Sequence, residues 1–191
     1  WNAIPSFLRK LDDVTRAELK TPLPLNIAPI KMASWMGGDR DGNPNVTPEV
    51  TLEVAMLSRW TAATLFKADI IKLKDFLSVD YCSAELEKAT QGQREPYRVV
   101  LNSLVARLQA TVEWAETYLK DPSNISKVTK AQGVQPLRAS KDLLEPLLLM
   151  HRSLVETGLA AVADGELVDT IRRVAIFGLS LMPLDIRQES T

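Results

Sequence analysis

SWMGGDRDGNPN, residues 34–45, decides how this chain divides. Gly37, Gly38, Gly42 and Pro44 would each cost too much in a helix interior, so the stretch is a turn. Residues 27–35, sparse in polar side chains, read as a strand whose start is delayed by Pro29. A long helix follows the turn. Thr47 offers an N-cap hydroxyl, Pro48 suits the first helical position, and Glu49 favours the positive helix start. A tight, charge-dense turn leaving a strand is a common place for a site.

Working outward, the helix after the turn is expected to run over 47–78. Phe66, Ile70, Leu73 and Leu77 stack on one face. Val54, Met56, Leu57 and Trp60 widen that stripe, so the helix reads as mostly buried. Upstream, Ile4, Phe7, Leu8, Leu11 and Val14 predict a helix over 2–19, ended by TPLP at 21–24. Downstream, 81–94 reads as a short helix and a loop at Gly92. Pro96 starts a helix with Leu101, Leu104, Val105, Leu108, Val112, Ala115 and Leu119 on one side, and Asp121-Pro122 stops it. Residues 123–134 read as a polar loop. Ser140 caps a helix carrying Leu143, Leu144, Leu147, Met150, Leu154 and Val155, kinked by Pro146 and followed by Gly158. Asp164-Gly165 turns the chain into a helix over 166–177, closed by Gly178. LSLMPLDIR, 179–187, is a second strand candidate.

The expected fold is therefore mainly α-helical with two strands, about 27–35 and 179–187. Two strands so distant in sequence make no useful sheet alone. They read as staves of a larger sheet or barrel mostly outside this chain. The chain opens on Trp1 and stops just after a strand candidate. It reads as one incomplete segment, 1–191, of a longer protein, with no internal boundary.

A hydrophobic content of 46% is enough to bury a core, and 25% charged residues keep the surface soluble. Lys and Arg number 23 against 24 Asp and Glu, with no run of like charges, which argues against nucleic-acid binding. No apolar run approaches a membrane span, and no signal-peptide pattern is present. A single cysteine, Cys82, excludes an internal disulfide and fits a reducing compartment.

Several side chains are candidates for chemistry. Asp39, Asp41 and Asn43 match the first, third and fifth positions of a calcium loop. Pro44 and Val50 then stand where that loop needs Gly and Glu. No Gly-Lys-Ser/Thr follows the turn, so it is not a phosphate-cradling P-loop. Arg40 has a plain structural reading as a partner of Asp39 or Asp41. Arg187 ends the second strand candidate, and alternation puts Asp185 on the same face. Its rigid donor fork suits a phosphate or carboxylate; a structural ion pair with a carboxylate elsewhere in the fold is the competing reading. His151 stands alone among Leu and Met and supports no zinc site. Cys82 lacks a base. Arg94 with Arg98, and Arg172 with Arg173, could bind an anion or be ordinary surface charges.

SWMGGDRDGNPNVT (34–47) and LDIRQEST (184–191) closely resemble the phosphoenolpyruvate carboxylase family, in its bacterial wording. The resemblance continues in collinear order through LKTPLPLNIAPIK (19–31), EPYRVVL (95–101), LLEPLLLMHRSL (143–154) and DGELVDTIRRVAIFGLSL (164–181). It implies an internal piece, from the N-terminal half, of a cytoplasmic homotetramer built of helices around a β-barrel. That enzyme joins bicarbonate to phosphoenolpyruvate with Mg²⁺ or Mn²⁺, through carboxyphosphate and an enolate, giving oxaloacetate and phosphate. The resemblance implies that Arg187 contacts the substrate phosphate and Trp35 belongs to an apolar pocket near the carboxylation centre. Asp39, Arg40 and Asp41 shape the mouth of the site, and Arg98 resembles an arginine of sugar-phosphate activation. The family's catalytic His, catalytic Lys, mobile glycine loop and metal-binding acids are not in this sequence. The fragment alone is expected to be inactive. The alternative is a non-catalytic helical interaction or scaffold domain that keeps the fold, discriminated by whether those residues exist in the parent.

Overall fold

The computed structural model describes residues 1–124 and 133–187. Most of the polar loop expected over 123–134 lies outside the described residues, as does the end of the LDIRQEST motif. Seven α-helices are described: α1 (Ala3–Leu19), α2 (Pro48–Phe76), α3 (Ala84–Ala89), α4 (Pro96–Lys120), α5 (Lys141–Glu156), α6 (Ala160–Ala163) and α7 (Glu166–Phe177). No helix among the described residues is long and apolar enough to cross a membrane.

α2 begins where local chemistry directs. Thr47 is extended at φ −83° and ψ 166°, and its hydroxyl accepts the Val50 N–H at 3.4 Å. α4 starts at Pro96, whose missing N–H costs nothing at that position. These two helices form the centre of the fold. Trp60 Nε1 donates to Glu116, Lys67 Nζ to Gln109, and Arg98 Nε to the Lys74 carbonyl. Partners descend along α4 as they climb along α2, so the pair is antiparallel. Phe66, Ile70, Leu73 and Leu77 are buried against Tyr97, Leu101, Leu104 and Leu108. The rest of α2 is less enclosed than its apolar content suggests, with Leu52, Leu57, Ile71 and Phe76 exposed.

α5 adds Leu143, Leu147, Met150 and Leu154 to the same core. Pro146 sits inside α5, which continues through to Glu156. Ser140 is helical at φ −58° and does not cap α5; its hydroxyl accepts the Leu179 N–H instead. Asp142, in the first turn, instead ties down the segment that enters the helix, its Oδ2 accepting the N–H groups of Arg138 and Ala139 at 3.0 and 3.1 Å. The far end of α5 closes as expected. Gly158 has φ 82°, Gly158 N–H reaches the Val155 carbonyl, and Leu159 N–H reaches back to Leu154.

α1 lies against α7, with Ile4 and Leu8 buried while Phe7 and Val14 face outward. Trp1 packs between Phe66 and Phe177, at centroid distances of 4.8 and 5.2 Å. Arg172 and Arg173 are not surface charges. Both are buried, paired with Asp12 at 3.3 Å and Asp69 at 3.0 Å. They hold α7 to α1 and α2 rather than presenting an anion site.

The two expected strands are the main correction. Neither 27–35 nor 179–187 forms a strand. Residues Gly178–Ser180 make a 3₁₀ turn, and among the described residues pairing is confined to two isolated parallel bridges, Ser34 with Leu184 and Asp39 with Arg187. A strand needs a ladder on at least one side, and here each segment has only the other. Pro29 and Pro183 lack an N–H, and two extra residues loop out between the bridges on the 34–39 side.

Candidate functional site

The two bridges bring the glycine-rich turn and the end of the chain together. Ser34 N–H donates to the Pro183 carbonyl, and Asp185 N–H returns to Ser34 at 2.9 Å. Further along, Arg187 N–H donates to Gly38 and Arg40 N–H to the Arg187 carbonyl. Between them the chain folds over Trp35–Gly38, with the Gly38 and Asp39 N–H groups both reaching the Trp35 carbonyl. Gly37 turns this corner at φ 80°. Gly38 serves close approach: a Cβ there would lie 2.6 Å from the Asp185 carbonyl oxygen. Only glycine lets the two backbones come this near.

Three side chains meet at this corner. Arg187 lies over the Trp35 ring at 4.4 Å from its centroid. Asp185 Oδ2 accepts from Arg187 Nε and Nη2 at 3.1 and 3.0 Å, and from Trp35 Nε1 at 3.0 Å. The group is open to solvent, Trp35 being 57% exposed with Met36 and Ile186 beside it in sequence and also exposed. Arg187 is ion-paired, but with the carboxylate two residues earlier rather than with one elsewhere in the chain. The same-face placement of 185 and 187 is kept, although no strand forms.

The rest of the turn is organised locally. Asp39 Oδ1 accepts the Asp41 N–H, and Asn43 Oδ1 accepts the Asn45 N–H. These are Asx turns, in which the side chain satisfies backbone two residues on. Arg40 pairs with neither Asp39 nor Asp41. Its Nη2 donates to Thr51 Oγ1 at 3.1 Å, and its Nε is buried without a partner. Thr51, one turn into α2, is a contact that motif reading missed.

Arg98 lies elsewhere, on α4. It pairs with Glu95 at 2.9 Å and borders an open pocket of about 320 Å³ whose lining mixes Lys74 and Arg94 with Asp75 and Glu95. Burial pushes the Cys82 thiol up, with Glu87 adding to the effect, so the thiol stays protonated at neutral pH. Burial pushes the His151 imidazole down, keeping it neutral. Among the described residues no group of three or more His, Cys, Asp or Glu side chains could hold a metal ion. The described residues of this chain do not fit such an ion.

The fold and this corner define a helical segment that holds a stacked, ion-paired arginine beside a glycine turn. The family model for phosphoenolpyruvate carboxylase matches residues 1–191, and the chain belongs to that family. It is 50% identical over 192 residues to the phosphoenolpyruvate carboxylase of Acinetobacter baylyi, and 50% over 192 residues to that of Marinobacter nauticus. Identity to the Hahella chejuensis enzyme is 46% over 190 residues. Each match covers 100% of this chain and 21% of the relative, so the chain spans about a fifth of the length of these enzymes.

Proposed function

We propose that this chain is part of an enzyme that carboxylates phosphoenolpyruvate with bicarbonate, giving oxaloacetate and phosphate. The observation that carries the reading is the Asp39–Arg187 bridge, which joins the turn to a guanidinium stacked on Trp35. In this reading Arg187 binds the phosphoryl group of the substrate. A planar fork of N–H donors can neutralise charge on a phosphoryl group as it leaves the enol oxygen. Trp35 supplies an apolar wall that excludes water from the enolate. Asp39, Arg40 and Asp41 shape the mouth of the site, with Arg40 bracing the turn against α2 through Thr51.

The remaining parts of the reading concern the longer enzyme. In the longer enzyme the segments bridged at Ser34–Leu184 and Asp39–Arg187 lie beside a larger β-barrel, a proposal supported by the parallel sense of the two bridges. Mg²⁺ or Mn²⁺ is held outside this chain and supplies charge neutralisation when bound. Arg98, with Lys74 and Arg94 around one pocket, forms an anion site for an activator. The enzyme is a cytoplasmic homotetramer, and residues 1–191 are a single segment of it that is inactive alone.

The test is Arg187→Ala in the full-length enzyme. Losing one transition-state donor costs about 2.7–4 kcal/mol, so turnover should fall roughly 10²- to 10³-fold with the oligomer intact. Unchanged turnover at saturating phosphoenolpyruvate would remove Arg187 from the chemistry. Oxaloacetate formation by the 191-residue chain alone would overturn the claim that it is inactive.

A further inference from the structure

We propose that Asp185 is a positioning residue that selects which edge of the Arg187 guanidinium meets the substrate. The proposal rests on the phosphate-binding reading of Arg187 given above. A guanidinium can present two different pairs of donors to a two-oxygen acceptor: the Nε/Nη2 side or the Nη1/Nη2 end. Asp185 Oδ2 occupies the side, at 3.1 Å from Nε and 3.0 Å from Nη2. Nη1 makes no hydrogen bond among the described residues. The end of the fork is therefore the edge left for a phosphoryl group.

The same carboxylate oxygen also accepts from Trp35 Nε1 at 3.0 Å, so it fixes the ring on which the guanidinium lies. Asp185 is itself held by backbone. Its N–H donates to Ser34, and its carbonyl abuts Gly38 so closely that no Cβ fits between them. The turn thus locates Asp185, and Asp185 locates both Trp35 and Arg187. Without it an arginine on an open stem would spread over many rotamers. Asp185 also has an electrostatic cost: its negative charge weakens the pull of Arg187 on any anion.

These two effects act on different kinetic constants, which makes the role testable. In the full-length enzyme, Asp185→Asn keeps side-chain size and removes the charge. Turnover should fall, by up to about 100-fold for a misplacement near 1 Å. The KM for phosphoenolpyruvate should stay level or fall, because a repelling charge is gone. In a double-mutant cycle, Asp185→Asn should add little to the loss caused by Arg187→Ala, since it acts through that side chain. A merely structural role predicts losses that multiply. Wild-type turnover in Asp185→Asn, or multiplied losses, overturns the proposal while leaving the phosphate-binding reading standing. Wild-type turnover in Arg187→Ala removes that reading and this proposal with it.

Discussion

Gly38 and Asp142 show how single residues control this chain through backbone contacts. A Cβ at Gly38 meets the Asp185 carbonyl at 2.6 Å, and backbone on both sides leaves nothing soft to yield. Gly38→Ala should open the two bridges and destabilise the protein by about 1–3 kcal/mol, seen as a lower urea midpoint and altered Trp35 fluorescence. Gly37 differs, since its Cβ would meet the Val54 side chain, and its φ of 80° is the stronger constraint. Asp142 is an acid–base case. The N–H groups of Ala139 and Arg138 hold its carboxyl below the usual range, with Arg107 assisting at 3.5 Å. A carboxyl depressed in the folded state stabilises the fold above its unfolded value of about 3.9. That contribution is lost as pH falls through the folded value. Asp142→Asn should therefore lower the melting temperature at pH 7, and the gap should close on acidification. That the Ser140 hydroxyl leaves the start of α5 uncapped was not legible from sequence, because Leu179, distant in the chain, claims it. Arg40 repeats the lesson, reaching α2 rather than its acidic neighbours.

At the scale of elements, periodicity did most of the work. The stack Phe66, Ile70, Leu73 and Leu77 on α2 is buried as its spacing predicts, and so are Leu101, Leu104 and Leu108 on α4. Helix ends marked by Pro48, Pro96, Gly158 and Gly178 fall where proline and glycine chemistry puts them. Periodicity says less about how wide a buried face is. Phe7, Val14, Leu57 and Val155 share helices with buried neighbours yet are exposed. The junction of α3, α4 and α5 depends on one hydroxyl that no pattern flags. Ser153 Oγ accepts the buried Ser83 N–H at 2.9 Å and lies 2.8 Å from the Tyr97 hydroxyl. Ser153→Ala leaves that N–H unsatisfied in the core. The expected loss is about 1–3 kcal/mol, measured by urea unfolding, with hydrogen exchange at Ser83 accelerated.

For the molecule as a whole, the antiparallel α2–α4 pair is the frame against which α1, α5 and α7 are set. Charge enters that frame at Asp69, which accepts from Arg173 at 3.0 Å and from Trp1 Nε1 at 3.1 Å. Both partners of the ion pair are 8% exposed, so water cannot replace a lost partner. Asp69→Ala should cost about 3–5 kcal/mol and free the Trp1 ring, checked by denaturation and by Trp fluorescence. Arg172 and Arg173 read as surface charges because nothing in their neighbourhood announces Asp12 or Asp69. The two strand candidates failed for the opposite reason. Their apolar composition suits a sheet, but a strand exists only where a neighbour completes the ladder, and here each meets the other at two points. Read alone, the residues were enough for the longer helices, most of their ends, the glycine turn and the family resemblance, because propensity, capping and motif spacing act over a few positions. The Arg187–Asp185–Trp35 corner, the buried arginine pairs and the reduction of strands to bridges needed the folded chain. Each depends on which side chains or backbones meet across long stretches of sequence, and only packing sets those distances.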